Sequence, residues 1–259
     1  NYFLIFTLEL GISGAAIASS LAEMGSLVVL CIYTRAKIDK EKYGLEPVYD
    51  GQLLIKVLNL SVWSMLHAFI SVVPWFLFFV AIEHLGKTEL AISNITRSVS
   101  AIFFVIANSF AVTTGSLVSN AIGARARNEL FPICHKVLKL GYAVGIPFVV
   151  VALLCNRWIV SFYTDNELLI ELAFAPFVVM LLNYTFALPG YVYLNAVGGT
   201  GITKITFLFQ VTTTCVYLVY LYWLSFCIKA SLSLYLTAEY LFVILLALQS
   251  IIHLKSKHY

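Results

Sequence analysis

The sequence predicts an all-α fold, a polytopic membrane helical bundle, and three observations support this prediction. Of the 259 residues, 61% are hydrophobic and only 11% are charged. Mean hydropathy is +0.93, and a soluble domain of this size could not cover its surface with so few polar side chains. Seven apolar runs approach or exceed the length of about 20 residues that a helix needs to cross a bilayer. We therefore expect the lipid bilayer to surround the chain.

The limits of the apolar runs place the seven spans. The longest hydrophilic stretch separates the first two spans, and the other connections are short. Proline interrupts several spans, at Pro74, Pro147, Pro176 and Pro189. These prolines either bend their helices or reflect the higher frequency of proline in membrane helices. The predicted spans cover residues 12–33, 61–82, 91–121, 140–160, 168–197, 205–227 and 231–254.

Basic residues are distributed unequally between the two sides of the predicted spans. Twelve Lys and Arg residues lie on one side and three on the other. The positive-inside rule then places the hydrophilic stretch and the carboxyl terminus in the cytoplasm of a cell, with the chain crossing the cell (inner) membrane several times. Because the basic residues border the spans instead of forming one patch, we expect no nucleic acid as a partner.

The opening residues, NYFLIFTLEL, have no basic segment and no small-residue cleavage site, so they do not form a signal peptide. They are typical of the end of a helix, and we expect the chain to be a fragment of a larger polypeptide. Five scattered cysteines match neither a disulfide framework nor a metal-ligand spacing. Since the sequence also lacks the H-E-x-x-H and G-x-S-x-G signatures, we expect no metal, no cofactor and no enzymatic activity.

Arg97 is the only charged residue between Glu89 and Arg125. A charge at the centre of a membrane helix costs ~3 kcal/mol on insertion scales, so Arg97 should face protein or a wet cavity. The alternative is that its side chain extends to the membrane surface. Small and polar residues share its helical face, which should turn away from lipid. They are Asn94, Ala101, Asn108 and Gly115.

Two acidic residues lie well inside predicted spans, Glu23 near the bilayer midplane and Glu239 less deep. Either could couple transport to a proton or cation and act as the counter-ion of Arg97, or could simply hydrogen-bond a neighbouring helix. In the fifth span, Asn183, Tyr191 and Asn195 could line a substrate path or bond between helices. Aromatic residues of the second span could receive cations or serve only in packing. They are Trp63, Trp75, Phe76, Phe78 and Phe79.

Four segments resemble the multidrug and toxic compound extrusion (MATE) family of exporters, in its carboxyl-terminal half. NYFLIF with GISGAAIASSLAE is similar to the junction of the family's helices five and six, and LVSNAIGARARNEL to the cytoplasmic turn after helix eight. FYTDNELL and NAVGGTGITK are similar to the next two connections in the family. Their order and spacing agree with the topology that the charges predict.

The resemblance implies two six-helix lobes, of which this chain would supply one and part of the other. Residues 1–33 would be the end of the first lobe (a helix-five stub and helix six), residues 34–51 the cytoplasmic inter-lobe linker, and residues 52–259 the second lobe. It also implies a secondary antiporter that exports amphipathic or cationic small molecules in exchange for Na⁺ or H⁺. The missing first lobe of the same polypeptide would be its partner.

The resemblance raises one difficulty and leaves two alternatives. In one branch of the family, acidic residues of helices seven and ten help bind the coupling cation, and the matching positions here are Ser71 and Ala187. Coupling by that route is therefore in doubt. A lipid-linked oligosaccharide flippase of the same superfamily would use several cavity arginines to meet pyrophosphate, whereas Arg97 is the single candidate for a cavity arginine in this sequence. A non-transporting membrane subunit is the other alternative.

Overall fold

The structure is a computed structural model that describes residues 3–7, 10–38, 49–228 and 230–256. All regular structure in these ranges is helical, which confirms the predicted all-α fold class. The chain divides into two compact units, Asn1–Leu54 and Ile55–Tyr259. Seven helical segments in the described ranges are long and apolar enough to cross a membrane, in agreement with the seven predicted spans.

The first unit contains a π-helical turn at Phe3–Thr7 and helix α1, Gly11–Lys37. Helix α2, Gly51–Glu83, begins in this unit and continues into the second. Asp50 caps its start, since the Asp50 carboxylate accepts the backbone N–H groups of Gln52 at 2.9 Å and Leu53 at 3.1 Å. The predicted linker, residues 34–51, thus begins within α1, and its residues 39–48 lie outside the described part of the chain.

The second unit contains the rest of α2 and all later helices. A 3₁₀ turn at Arg127–Glu129 precedes α4, and a π-helical turn at Leu224–Ile228 follows α8. The helices are α3 (Lys87–Gly123), α4 (Leu130–Leu154), α5 (Asn156–Ser161), α6 (Glu167–Leu182), α7 (Tyr184–Gly199), α8 (Thr203–Trp223) and α9 (Leu232–Ser256).

The fourth span begins earlier than its apolar run predicts. The prediction was 140–160, but α4 starts at Leu130 and ends at Leu154, and the separate short helix α5 follows. Leu130, Cys134 and Val137 are buried and extend the apolar face of α4 towards its amino-terminal end. Basic residues of the same segment lie on the exposed side of the helix. A helix needs apolar residues on only one face, so α4 continues through a segment whose mean hydropathy is too low to be recognised as part of the span.

The fifth span breaks at Asn183, which separates α6 from α7, while Pro176 and Pro189 lie inside helices. Proline has no N–H, so Pro189 leaves the Thr185 carbonyl without its helical donor. The Tyr142 hydroxyl of α4 donates to that carbonyl at 2.7 Å. A side chain from a neighbouring helix thus replaces the lost bond, which is how proline is tolerated within a bilayer.

Helix α7 is the centre of the second unit and packs most extensively against α3 and α9. Glycine permits both contacts. A Cβ atom added at Gly199 would lie 2.5 Å from the Gly115 carbonyl oxygen of α3, and one added at Gly190 would lie 2.7 Å from the Val243 carbonyl oxygen of α9. Small residues let membrane helices approach closely, and dispersion contacts then hold them together.

The close approach of α7 to α3 predicts that Gly199→Ala destabilises the protein. The added methyl group meets backbone atoms, which cannot rotate away, and such overpacking costs ~1–3 kcal/mol. The apparent melting temperature in detergent should fall measurably. Gly123→Ala is the matched control, because a Cβ at Gly123 has nothing within 4 Å. Equal melting temperatures for the two variants would contradict the close packing.

Candidate functional site

A part-buried ion pair joins α3 to α9. Arg97 Nη2 donates to Glu239 Oε1 at 2.6 Å, with the two side chains only 11% and 18% exposed. The Tyr217 hydroxyl of α8 donates to the same oxygen at 3.3 Å. Three helices therefore meet at one carboxylate. Each charge satisfies the other, so neither needs to reach water or a lipid headgroup.

Aromatic rings of α2 cover the guanidinium of this pair. The Arg97 Cζ atom lies 4.0 Å from the ring centroid of Phe78 and 5.2 Å from that of Phe79. These distances allow cation–π attraction, which is strongest where water is excluded. Phe78 is fully buried, so the ring also shields the pair from the surroundings. The sequence left open whether these phenylalanines receive a cation or serve only in packing, and here they lie against an arginine of the same chain.

The ion pair forms part of the wall of a cavity of about 490 Å³. Helices α2, α3, α6, α7 and α9, with Asn183 at the break, supply its wall, which is mostly apolar and aromatic. The residues that line it are Ser71, Val72, Pro74, Trp75, Arg97, Ser100, Ala101, Phe103, Phe104, Ala107, Met180, Asn183, Tyr184, Ala187, Tyr191, Glu239 and Phe242.

Among the described residues, two fully enclosed polar atoms of the lining residues have no hydrogen-bond partner. They are the side-chain oxygen of Asn183, a residue 7% exposed, and Nε of Arg97. A buried polar group without a partner costs free energy, and in native proteins such groups are generally satisfied. Both atoms are enclosed by protein, so they are unpaired groups behind the cavity surface and not ones presented to it.

Four of the predicted site residues lie together at this cavity: Arg97, Asn183, Tyr191 and Glu239. They come from separate helices and from the break between α6 and α7. Ser71 and Ala187 line the same cavity, so the two positions that the family resemblance implied also converge on it.

The other predicted site residues lie elsewhere. Asn94 and Asn108 are exposed and do not line the cavity, because α3 buries a different stripe that includes Val99, Phe103 and Ala107. Of the expected polar face of α3, Arg97 and Ala101 line the cavity and Gly115 packs against α7, whereas the two asparagines are exposed. Glu23 is exposed on α1 in the first unit.

Asn195 lines a second cavity, of about 350 Å³, together with His67 and several hydroxyl side chains. No group of three or more His, Cys, Asp or Glu side chains within the described ranges is arranged to hold a metal ion.

Sequence reasoning missed Tyr217 and Phe242. Tyr217 is fully buried, bonds to Glu239 and packs edge-to-face on Phe242, with ring centroids 5.7 Å apart. Both residues lie in apolar helices that are rich in aromatic side chains, so neither position differs from its neighbours in the sequence. Only the packing of α8 on α9 distinguishes them.

The sequence of the chain matches a known protein family. The sequence model of the family described as MatE matches residues 64–224, more than half of the chain. "Multidrug and toxin extrusion protein 1" of Oryctolagus cuniculus is 24% identical over 179 residues, which are 66% of this chain and 30% of that protein.

Solved structures share the fold. A multidrug resistance MATE family transporter of the MOP superfamily, in an outward-facing conformation, superposes with a TM-score of 0.85 at 15% identity, covering 98% of this chain and 59% of that one. An inward-facing MATE family transporter gives a TM-score of 0.65 at 16% identity, covering 99% of this chain and 62% of that one. The chain thus spans about three fifths of the length of these structures. Together with the seven apolar helices and the match to residues 64–224, these likenesses show that the chain belongs to the MatE family of multi-pass membrane transporters.

Proposed function

We propose that the protein is a secondary antiporter that exports amphipathic, including cationic, small molecules in exchange for Na⁺ or H⁺. In this proposal residues 1–33 end the first lobe, residues 34–51 form the inter-lobe linker and residues 52–259 form the second lobe. The observation that carries it is the cavity of about 490 Å³ with the Arg97–Glu239 pair in its wall. Its volume is that of a small-molecule site, and a mostly apolar wall with a few polar groups suits an amphipathic ligand.

The residues that line the cavity also limit which carboxylates could bind the coupling ion. Ser71 and Ala187 supply no carboxylate, whereas Glu239 supplies one within the same wall. We therefore propose Glu23 and Glu239 as the candidates for binding the coupling ion, and Glu239 would do so only on release of Arg97 from its carboxylate. Asn94 and Asn108 are exposed amides on a helix that is long and apolar enough to cross a membrane, and an amide is disfavoured in contact with lipid. In the proposal they face a transport path that the first lobe completes.

The distribution of basic residues supports an orientation. Arg125 and Arg127 follow α3, and Lys204 lies at the start of α8, on the side that carries most of the positive charge. Under the positive-inside rule this side is cytoplasmic, and so is the carboxyl terminus. The proposed location is the cell (inner) membrane.

The flippase alternative has less support from the cavity. Recognition of pyrophosphate requires several cationic side chains, and among the residues that line the cavity Arg97 alone is cationic and is already bound to Glu239. The alternative of a non-transporting subunit makes a different prediction from the antiporter. If it is right, a substitution that fills the cavity leaves the rate of efflux unchanged.

Filling the cavity should block efflux. Ala187→Phe places a ring in the cavity lined by Trp75 and Tyr191, so a substrate of that size no longer fits. We expect the rate of efflux of a fluorescent amphiphile from cells to fall roughly tenfold or more. Ala143→Phe is the matched control, since Ala143 is exposed on α4. Unchanged efflux by a normally expressed Ala187→Phe variant would rule out this cavity as the transport site.

Replacing Glu23 tests its proposed part in coupling. Glu23→Gln keeps the size of the side chain and removes its charge, so cation-driven efflux in proteoliposomes should slow and lose its dependence on pH. Glu83→Gln, at an exposed residue that ends α2, is the control. If efflux and its pH profile are the same in both variants as in the parent protein, Glu23 is merely structural.

A further inference from the structure

We propose that Arg97 acts as a tethered cation that occupies the Glu239 carboxylate. The cavity then binds uncharged amphiphiles directly, and a cationic ligand enters only by displacing the guanidinium. Arg97 is thereby the residue that determines which charge the site accepts. This inference rests on the proposed function, because it names the ligand class of the same cavity.

The first support is the charge balance of the cavity wall. Arg97 and Glu239 are the charged side chains among the residues that line it, and the 2.6 Å bond between them neutralises both. A cationic ligand therefore meets no uncompensated carboxylate there. Moving a charge into an apolar site without a partner is strongly unfavourable, whereas an uncharged ligand avoids that cost.

The second support comes from the aromatic rings. The rings of Phe78 and Phe79 lie against the Arg97 guanidinium, so the cation–π surfaces next to the carboxylate already hold a cation. Other rings remain at the cavity. Phe104 and Tyr191, with centroids 5.5 Å apart at a near-perpendicular angle, offer faces and edges to an uncharged aromatic group.

Displacement of Arg97 explains why a cation binds less well. The cation would take the place of Nη2 at Glu239 Oε1, where the Tyr217 hydroxyl also bonds. The guanidinium would then lie beside Phe78 without a counter-ion in a membrane-spanning region. Breaking a buried pair by removing one partner is strongly unfavourable, so the displaced arginine opposes the incoming cation.

The test uses three probes on one fluorescent aromatic scaffold, which carry a trimethylammonium, a tert-butyl or a carboxylate group. Affinity is measured by fluorescence with the purified protein that contains these 259 residues. The parent protein should prefer the uncharged tert-butyl probe. Arg97→Gln should raise affinity for the ammonium probe, relative to the uncharged probe, by roughly tenfold or more, since the carboxylate is released. Glu239→Gln should instead raise relative affinity for the carboxylate probe.

Arg157→Gln is the control, because Arg157 and Glu167 form an exposed pair whose side chains are 78% and 79% accessible. It should leave all three affinities as they are in the parent protein. If Arg97→Gln does not fold, the charge-exchanged variant Arg97→Glu with Glu239→Arg keeps a pair and should retain the preference for the uncharged probe. Glu239→Gln then supplies the test of selectivity.

Two results would overturn the inference while leaving a ligand-binding cavity in place. One is a parent protein that binds the ammonium probe as tightly as the uncharged probe. The other is a ratio of affinities that Arg97→Gln and Glu239→Gln leave unaltered. By contrast, a parent protein that binds none of the probes would count against the proposed cavity itself, and the inference would fall with it.

Discussion

Polar groups within a bilayer must be satisfied by the protein itself, and the rest of the second unit depends on how this constraint is met. The bond between Arg97 and Glu239 is the most demanding case, because both partners carry a full charge and their side chains are only 11% and 18% exposed. Two neutral groups show the same rule. Tyr142 serves the carbonyl that Pro189 leaves free, and Ser119 donates at 2.8 Å to the carbonyl of Gly199 at the end of α7. Each bond crosses between helices, so satisfying polar groups also sets which helices lie side by side.

Helix α7 makes the ion pair possible. Its glycines bring α3 close on one side and α9 close on the other, with Gly199 against Gly115 and Gly190 against the Val243 backbone. This packing brings together two residues that are 142 positions apart in the chain. The cavity lies among the same helices, and the break at Asn183 places a buried amide in its wall. The scaffold and the site are thus parts of one packing arrangement.

The described residues include two Arg–Glu ion pairs that differ in how far they are exposed to solvent. Arg157 and Glu167 approach to 2.9 Å, but both side chains are largely exposed, and pairs of this kind contribute little to stability. Arg97 and Glu239 are largely withdrawn from solvent and lie in the wall of a cavity. There the charges determine what else can enter, because any further charge needs a partner that the wall does not offer. Burial, and not the identity of the residues, gives the second pair its importance.

The sequence by itself determined the all-α class, the seven spans and the expectation that Arg97 avoids lipid, because each follows from local composition and spacing. It left open whether Glu23 or Glu239 meets Arg97, and it did not distinguish Tyr217 or Phe242 from their neighbours. It also grouped Asn94 and Asn108 with Arg97 on one face, whereas neither lines the cavity. The tertiary structure decided these points, together with the break at Asn183. A pairing across 142 residues depends on which helices pack together, and that follows from close contacts at a few glycines that local patterns do not encode.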